Sequence, residues 1–152
     1  MKVGLLYGTE TGNAEMLCDD IEEELGSGFE CEINDLGDIE PEELNEDTFY
    51  IIVTSTYGNG DLPTTAAPFY DKLTEEKPDL SNVRFAIFGL GDMVFDETYN
   101  QGSERLRKLL VECGAKMIGE RGLHDASSGE PPEDLALPWV QNIVAQLSVE
   151  AA

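Results

Sequence analysis

The sequence predicts an α/β protein in which five parallel strands form one sheet between two layers of helices. Short runs of β-branched and aromatic residues alternate with segments whose apolar residues recur at helical spacing, which is typical of parallel βαβ units. The 152 residues suffice for one sizeable core but not for two, and no repeat, linker or low-complexity segment divides them. We therefore expect residues 1–152 to form a single three-layer, doubly wound domain with strand order 2-1-3-4-5.

Five segments have the apolar and β-branched composition of strands. They are residues 3–7, 29–33, 49–53, 83–88 and 116–123. The second segment is more polar, which places it at an edge of the sheet, and glycines interrupt the fifth.

Four helices are predicted from apolar residues spaced three and four apart. Their apolar positions are Ala14, Leu17, Cys18, Ile21 and Leu25 in the first helix, Ala66, Phe69, Tyr70 and Leu73 in the second, Leu106, Leu109, Leu110 and Cys113 in the third, and Trp139, Val140, Ile143, Val144 and Leu147 in the fourth. Between the second and third strands, residues 36–47 form an acidic connection with a short helix expected after Pro41.

The charge of the chain restricts its partners. The formal net charge is −23, from 9 basic and 32 acidic residues, and no Lys or Arg occurs between Lys2 and Lys72. Nucleic acids and anionic lipids bind through cations that neutralise phosphates, so this composition excludes both. A basic protein would be attracted instead, and its encounter would be faster at low salt. Solubility alone explains an acidic surface equally well.

The N-terminus predicts a soluble protein, which in a bacterium would be cytoplasmic, and the cysteines predict neither a disulfide nor a metal site. Residues 3–6 form an apolar run too short for a signal-peptide core or a membrane span. Cys18, Cys31 and Cys113 are odd in number and lack the spacing of metal ligands. Because all three fall on predicted helix faces or strands, we expect reduced, buried thiols and no metal site.

The loop after the first strand has the composition of a phosphate-binding turn. It consists of Thr9, Glu10, Thr11, Gly12, Asn13 and Ala14 and leads into the first helix. Backbone N–H groups at a helix N-terminus bind phosphate, and the two threonine hydroxyls add donors. The loop lacks the Lys of a nucleoside-triphosphate loop and the GxGxxG pattern of a dinucleotide loop. Its neutral donors suit a monophosphate bound without Mg²⁺, and an ordinary capped helix start is the alternative.

The loops after the third and fourth strands hold aromatic residues among glycines. The second loop includes Thr56, Tyr57, Gly58 and Asn59, and the third includes Leu90, Gly91, Asp92, Phe95, Tyr99 and Asn100. Such aromatic side chains can stack on a planar ring, although Tyr57 also fits an ordinary turn and Phe95 a place in the core. In the expected strand order the three loops become neighbours at the topological switch point, so together they predict one ligand site.

Residues 7–15 resemble the FMN phosphate loop of the flavodoxin family, and residues 54–61 and 88–92 resemble its two isoalloxazine loops. The likeness covers essentially the whole chain. It is greatest to short-chain, MioC-type flavodoxins, which residues 68–70 and 77–80 also resemble, and to the FMN domains of diflavin reductases. The resemblance implies a flavodoxin-like fold that binds FMN non-covalently.

The resemblance also assigns residues to the cofactor. Residues 9–14 would hold the phosphate, Thr56, Tyr57 and Gly58 would lie along the flavin with Tyr57 against one face, and residues 90–95 would hold the other side. Asp125 matches an acid in the family's last loop. This chain has Phe95 where the family usually places a stacking tyrosine and carries one extra residue around residues 96–99. Phe95 and Tyr99 are therefore both candidates for the second flavin face.

The function implied by the resemblance is electron transfer and not catalysis. A monomeric carrier would take single electrons from a basic NAD(P)H-dependent flavodoxin or ferredoxin reductase and pass them to an acceptor enzyme. The alternative on the same fold is an FMN-dependent quinone reductase that uses NAD(P)H directly, but the sequence gives no sign of a nicotinamide pocket.

Two further readings of the fold are weaker. A phospho-acceptor domain would need clustered acids after the first strand and a Lys after the fifth. This chain has Tyr-Gly-Thr at residues 7–9 and Gly-Leu-His at residues 122–124 instead. We expect His124 to be a loop residue and not a catalytic base. A module of a diflavin reductase would continue into a second nucleotide-binding domain. The chain ends soon after its last predicted helix, so we expect a separate carrier.

Overall fold

Parallel strands and amphipathic helices alternate along the computed structural model, which describes residues 2–8, 13–55, 67–91, 101–119, 122–125 and 131–151. The strands are β1 (Lys2–Gly8), β2 (Glu30–Asp35), β3 (Thr48–Ser55), β4 (Arg84–Gly91), β5 (Lys116–Met117) and β6 (Gly122–Asp125). The helices are α1 (Asn13–Leu25), α2 (Ala67–Glu76), α3 (Gln101–Glu112) and α4 (Pro132–Ala151). The short helix predicted after Pro41 is a 3₁₀ turn, Pro41–Glu43, and its backbone is tied by the Glu40 N–H, which donates to the Glu43 carboxylate at 2.6 Å.

The sheet has the order β2-β1-β3-β4-β5, and every neighbouring pair of strands is parallel. Both the predicted class and the predicted order are therefore confirmed. β2 lies at one edge, in agreement with its polar sequence. In the centre, β3 and β4 are buried along most of their length, as expected for parallel strands that are covered on both faces.

The predicted fifth strand is wrong in one respect, because residues 116–123 do not form one continuous strand. β5 pairs with the beginning of β4 at Arg84, and β6 pairs with the end of β4, where Gly122 lies opposite Phe88. Between them Gly119 has φ = +71°, a left-handed conformation that interrupts strand geometry and that glycine adopts readily. A Cβ atom at Gly119 would lie 2.5 Å from Cδ1 of Ile143 in α4, so close packing against that helix accompanies the break.

Two buried clusters on opposite faces of the sheet establish the three layers. One cluster joins the sheet to α1 and α4 through Leu17, Cys18, Ile21, Ala136, Val140, Ile143 and Leu147. The other joins it to α2 and α3 through Phe69, Leu73, Leu106, Leu109, Leu110 and Cys113. Apart from Ala136, these residues are among those whose helical spacing predicted the helices, and burying each large apolar side chain contributes about 1.5–3 kcal/mol before entropy is counted.

All three cysteines are free thiols. Cys18 and Cys113 are buried as predicted, whereas Cys31 is only half-buried because it lies in the edge strand β2. Burial raises the pKa of each thiol, which keeps the three protonated at neutral pH. Within the described ranges no group of three or more His, Cys, Asp or Glu residues could hold a metal ion, and no described helix is both long and apolar enough to cross a membrane.

Candidate functional site

The strands that precede the predicted ligand loops all end at one edge of the sheet. β1 ends at Gly8, β3 at Ser55, β4 at Gly91 and β6 at Asp125. Because these strands are parallel and adjacent in the order β1-β3-β4-β6, the chain leaves all four at the same side of the molecule. The residues that follow β1, β3 and β4 are those in which the sequence predicted a ligand site.

A topological switch point lies between β1 and β3. The helix that follows β1, α1, packs on one face of the sheet, whereas α2 follows β3 and packs on the other. Connections that depart in opposite directions from two neighbouring strands leave a crevice outside the strand ends, which is where doubly wound folds bind their ligands. The predicted convergence of the loops therefore has its topological basis in the structure.

Side chains become small where the central strands reach this edge. Tyr7, Val53 and Phe88 align across three strands, and in the next row Thr54 lies between Gly8 and Gly89. Thr54 is fully buried, and glycine on both sides leaves no Cβ atom next to it. A ligand can approach backbone more closely at glycine than at any other residue, so this row, which we call the glycine row, is suited to a flat group laid against the strand ends.

Helix α1 presents its N-terminus at the same edge. The helix begins at Asn13, and Ala14, Leu17 and Cys18 are buried against the sheet, which fixes the position of its first turn. The unpaired N–H groups of a first turn and the helix dipole together favour a bound anion such as phosphate. The helix N-terminus and the glycine row thus lie on adjoining elements, where a ligand with an anionic group and a flat group could contact both.

The surroundings of β1 are electronegative. Burial raises the pKa of the half-buried Tyr7 phenol, and the charges of Glu15, Asp35 and Asp38 raise it further. A phosphate at the start of α1 would be held by hydrogen-bond donors, since residues 9–14 contain no Lys or Arg. This chemistry fits a single phosphate attached to a flat ring system, which is the composition of FMN.

The structure describes five of the predicted site residues. Asn13 and Ala14 begin α1, Leu90 and Gly91 end β4, and Asp125 ends β6, where it lies opposite Gly91. The placement of Asp125 corrects the expectation of a loop, because parallel pairing with β4 extends to that residue. Leu90 is 7% exposed and packs in the core between the sheet and the α1 and α4 helices. Twelve predicted residues lie outside the described ranges: Thr9, Glu10, Thr11, Gly12, Thr56, Tyr57, Gly58, Asn59, Asp92, Phe95, Tyr99 and Asn100.

His124 is a second residue whose predicted location is wrong. It was expected in a loop, but it lies in β6 opposite Leu90 and is only 5% exposed. The polar sequence that follows it predicts a loop, whereas its strand conformation comes from pairing with β4. It is a buried ionisable side chain one residue from the strand end, and no sequence pattern indicates that it belongs to this edge.

A model of the flavodoxin family matches residues 5–139. The chain belongs to the flavodoxin family. Among curated flavodoxin relatives, Protein MioC of Escherichia coli strain K12 is 34% identical over 139 residues, which cover 91% of this chain and 92% of that protein. Among solved structures, a mutant of the flavodoxin from Pseudomonas aeruginosa superposes with a TM-score of 0.84 at 29% identity, covering 97% of this chain and 99% of that chain.

Two much longer relatives contain a segment similar to this flavodoxin. The NADP(+) pyruvate dehydrogenase of Cryptosporidium parvum is 39% identical over 146 residues, which are 90% of this chain and 8% of that protein. The NADPH sulfite reductase flavoprotein alpha-component of Bacillus subtilis is 32% identical over 149 residues, which are 97% of this chain and 24% of that protein. The chain thus spans less than a quarter of each of these relatives but nearly all of Protein MioC.

Membership of the flavodoxin family confirms the predicted resemblance and the predicted cofactor, because flavodoxins are FMN proteins that transport electrons. The described edge fits that cofactor through the helix N-terminus and the glycine row. When bound, FMN supplies the redox chemistry, and the protein supplies binding, orientation and electrostatics.

Proposed function

We propose that this protein is a monomeric electron carrier in which residues 1–152 form a single FMN-binding domain. It takes single electrons from an NAD(P)H-dependent flavoprotein reductase and delivers them to acceptor enzymes, and it does not itself oxidise NAD(P)H. The observation that carries the proposal is the juxtaposition of the α1 N-terminus and the glycine row at the switch point between β1 and β3. The coverage of nearly all of Protein MioC supports a carrier of this length.

We assign the phosphate to residues 9–14 and the flavin ring to the two loops that follow β3 and β4. Along the ring we expect Thr56, Tyr57, Gly58 and Asn59 on one side, and Gly91, Asp92, Phe95, Tyr99 and Asn100 on the other, with Asp125 nearby. The core position of Leu90 makes it a support beneath this loop. Phe95 and Tyr99 are the two candidates for stacking on the second face.

The proposed reductase and acceptor are basic on the surfaces that meet this protein. With a net charge of −23, the carrier attracts a basic partner and accelerates the encounter at low salt. Two of the long relatives, the pyruvate dehydrogenase and the sulfite reductase component, have names that include NADP(+) or NADPH. This supports a pyridine-nucleotide-linked reductase as the electron donor, and the cytoplasm, where NADPH is available, as the location.

A comparison of FMN with riboflavin tests the phosphate assignment. Riboflavin has the same ring system without the phosphate, so a double Thr9→Ala/Thr11→Ala variant should bind FMN at least about tenfold more weakly, since a hydrogen bond to a charged group contributes about 1.5–3 kcal/mol. Its affinity for riboflavin should be unchanged. The matched control is Thr74→Ala on α2, where the lost hydroxyl donates to the Tyr70 carbonyl at 3.0 Å. Equal weakening of FMN and riboflavin binding would contradict the assignment.

The carrier and the quinone reductase differ in one assay. The FMN-loaded protein is mixed anaerobically with NADPH or NADH and a quinone, first without and then with an NADPH-dependent flavoprotein reductase. A carrier leaves the nucleotide unoxidised until the reductase is added. Rapid oxidation of the nucleotide without the added reductase would contradict the carrier proposal and would identify the protein as a quinone reductase.

A further inference from the structure

A cavity of about 380 Å³ lies over the β1–β2 edge of the sheet, on the face that α2 and α3 cover at the central strands. Gly4 and Leu6 of β1 form part of its floor, and residues of the connection between β2 and β3 form one wall. The volume is within the range of small-molecule sites, roughly 300–1,000 Å³. The cavity begins at Lys2, whereas the proposed FMN edge lies where β1 ends, at Gly8. It therefore offers a place for a second, separate ligand.

A buried hydroxyl donor lines this cavity. The Tyr50 ring reaches from β3 across β1, where a Cβ atom at Gly4 would lie only 2.8 Å from its Cδ1 atom. Tyr50 is 7% exposed, and its hydroxyl accepts from the Asn45 N–H at 3.1 Å. No described residue accepts the proton of that hydroxyl. Because a buried tyrosine hydroxyl usually donates to a partner, a ligand with an acceptor group fits here.

The ammonium of Lys2 provides a second donor. Lys2 precedes Gly4 by two residues, so its side chain projects from the same face of β1. It is exposed and forms no ion pair with a described residue. Since the Tyr50 ring covers Gly4, the long Lys2 side chain can extend to the same part of the cavity. An ammonium and a hydroxyl are together suited to donate to one carboxylate.

Carboxylates line the side of the cavity that β2 and the connection form. Glu30 and Glu32 lie in β2, where they pair in register with the cavity residues at the start of β1. Glu43 adds a third carboxylate from the connection, and the Glu40 N–H holds it by donating to it at 2.6 Å. Three carboxylates against the single ammonium of Lys2 favour a ligand with a net positive charge.

We propose that this cavity binds a small cationic amino acid, which carries a carboxylate at one end and a guanidinium or ammonium group at the other. The carboxylate accepts from the Tyr50 hydroxyl and the Lys2 ammonium. Glu30, which pairs in register with Lys2, accepts from the α-ammonium, and the cationic side chain lies against Glu32 and Glu43. The site goes beyond the proposed electron transfer, and its occupation does not depend on FMN.

Calorimetric titration with L-arginine tests the site on the full-length protein, with and without FMN. We expect one saturable site whose affinity differs by less than about twofold between the two forms, because distant sites act independently. L-Citrulline has a neutral urea in place of the guanidinium, and agmatine lacks the carboxylate. Each should bind about tenfold more weakly than L-arginine, or worse, because each loses charge-assisted hydrogen bonds.

Variants of the two donors distinguish specific binding from general attraction to an acidic protein. Lys2→Met makes the protein more negative, so general attraction would strengthen L-arginine binding, whereas the proposed carboxylate contact predicts binding about tenfold weaker. Tyr50→Phe removes only the hydroxyl and should also weaken L-arginine binding about tenfold. The matched control is Tyr70→Phe on the half-buried side of α2, which should have no effect. Circular dichroism verifies that each variant is folded.

Glutamine variants test the carboxylates. Glu30→Gln/Glu32→Gln should weaken L-arginine binding about tenfold or more. The control Glu75→Gln/Glu112→Gln makes the same change of net charge on exposed positions of α2 and α3 and should change the affinity less than about twofold.

Four results would overturn the proposal. They are the absence of a saturable L-arginine site, equal binding of L-citrulline, binding of agmatine as tight as that of L-arginine, and equal losses for the two glutamine pairs. The first would show that the cavity binds no such amino acid, and the others would show that overall charge, and not this cavity, attracts the ligand.

Discussion

Gly122 lies where two aromatic rings leave no space for a side chain. A Cβ atom there would be 2.9 Å from Cε2 of Phe88 and 3.0 Å from Cε2 of Trp139, and these two rings pack at 60° with centroids 5.3 Å apart. Because Phe88 is 1% exposed and belongs to the core, its ring cannot turn aside without disturbing its neighbours. Gly122→Ala should therefore lower the free energy of unfolding by about 1–3 kcal/mol, the usual cost of overpacking.

Urea denaturation of the apoprotein, followed by far-ultraviolet circular dichroism, measures this cost, and thermal denaturation should show a Tm lower by about 2–4 °C for each kcal/mol. The control is Gly28→Ala, because nothing lies within 4 Å of a Cβ atom at Gly28; its effect should stay within about 0.5 kcal/mol. In a Phe88→Leu background the shorter side chain leaves space, so the cost of Gly122→Ala should shrink by about 0.5 kcal/mol or more. A Gly122→Ala protein as stable as wild type, or a cost independent of residue 88, would refute the packing argument.

Three further variants test the fold and its charges. Asp20→Asn should raise the free energy of unfolding at pH 7 by about 0.2–0.5 kcal/mol for each relieved like-charge pair. The reason is that the pKa of Asp20 is raised in the folded protein, so its ionised form opposes folding. Urea denaturation curves should show that this gain in stability vanishes below the ordinary aspartate pKa, where the carboxyl group is neutral in both states. Asp79 has a lowered pKa because the Ser81 side chain and backbone donate to it, so Asp79→Asn should lose stability at neutral pH, and the loss should diminish as the pH falls through the folded-state pKa. Phe69→Ala removes a side chain that is 1% exposed between α2 and the sheet. Because a cavity would form, the free energy of unfolding measured by urea denaturation should fall by about 3–5 kcal/mol. A decrease below about 1 kcal/mol would contradict the described core.

The helices and the central strands were predictable because local patterns determine them. Leu17, Ile21 and Leu25 repeat at helical spacing, and all three are buried on the sheet. The apolar run at residues 49–53 is likewise buried in β3. In these segments propensity and burial favour the same structure, so pattern and structure agree.

The division of the fifth strand was not predictable, because it depends on contacts between distant residues. Gly119 packs against Ile143 of α4, and Gly122 packs against Phe88 of β4 and Trp139 of α4. Nothing in residues 116–123 alone indicates which glycine leaves the strand. The same reasoning applies to His124 and Asp125, whose strand conformation results from parallel pairing with Leu90 and Gly91.

The location of the site was predictable from topology, whereas its individual contacts remain predictions. Once the strand order is 2-1-3-4-5, the loops after β1, β3 and β4 must leave neighbouring strands at one edge. The glycine row at Gly8 and Gly89 was visible only after the register of the strands was known. The choice between Phe95 and Tyr99 for the second flavin face depends on the path of residues 92–100, which lie outside the described ranges.

We expect this flavodoxin to bind FMN and to exchange single electrons. The most direct measurement is the absorption spectrum of the purified protein with one equivalent of FMN, followed by stepwise anaerobic reduction. We predict quenching of FMN fluorescence, a bound-flavin spectrum, and a long-wavelength band of the one-electron-reduced form that rises and then falls during reduction. Unquenched FMN, or a direct conversion to the two-electron-reduced form without that band, would contradict the claim.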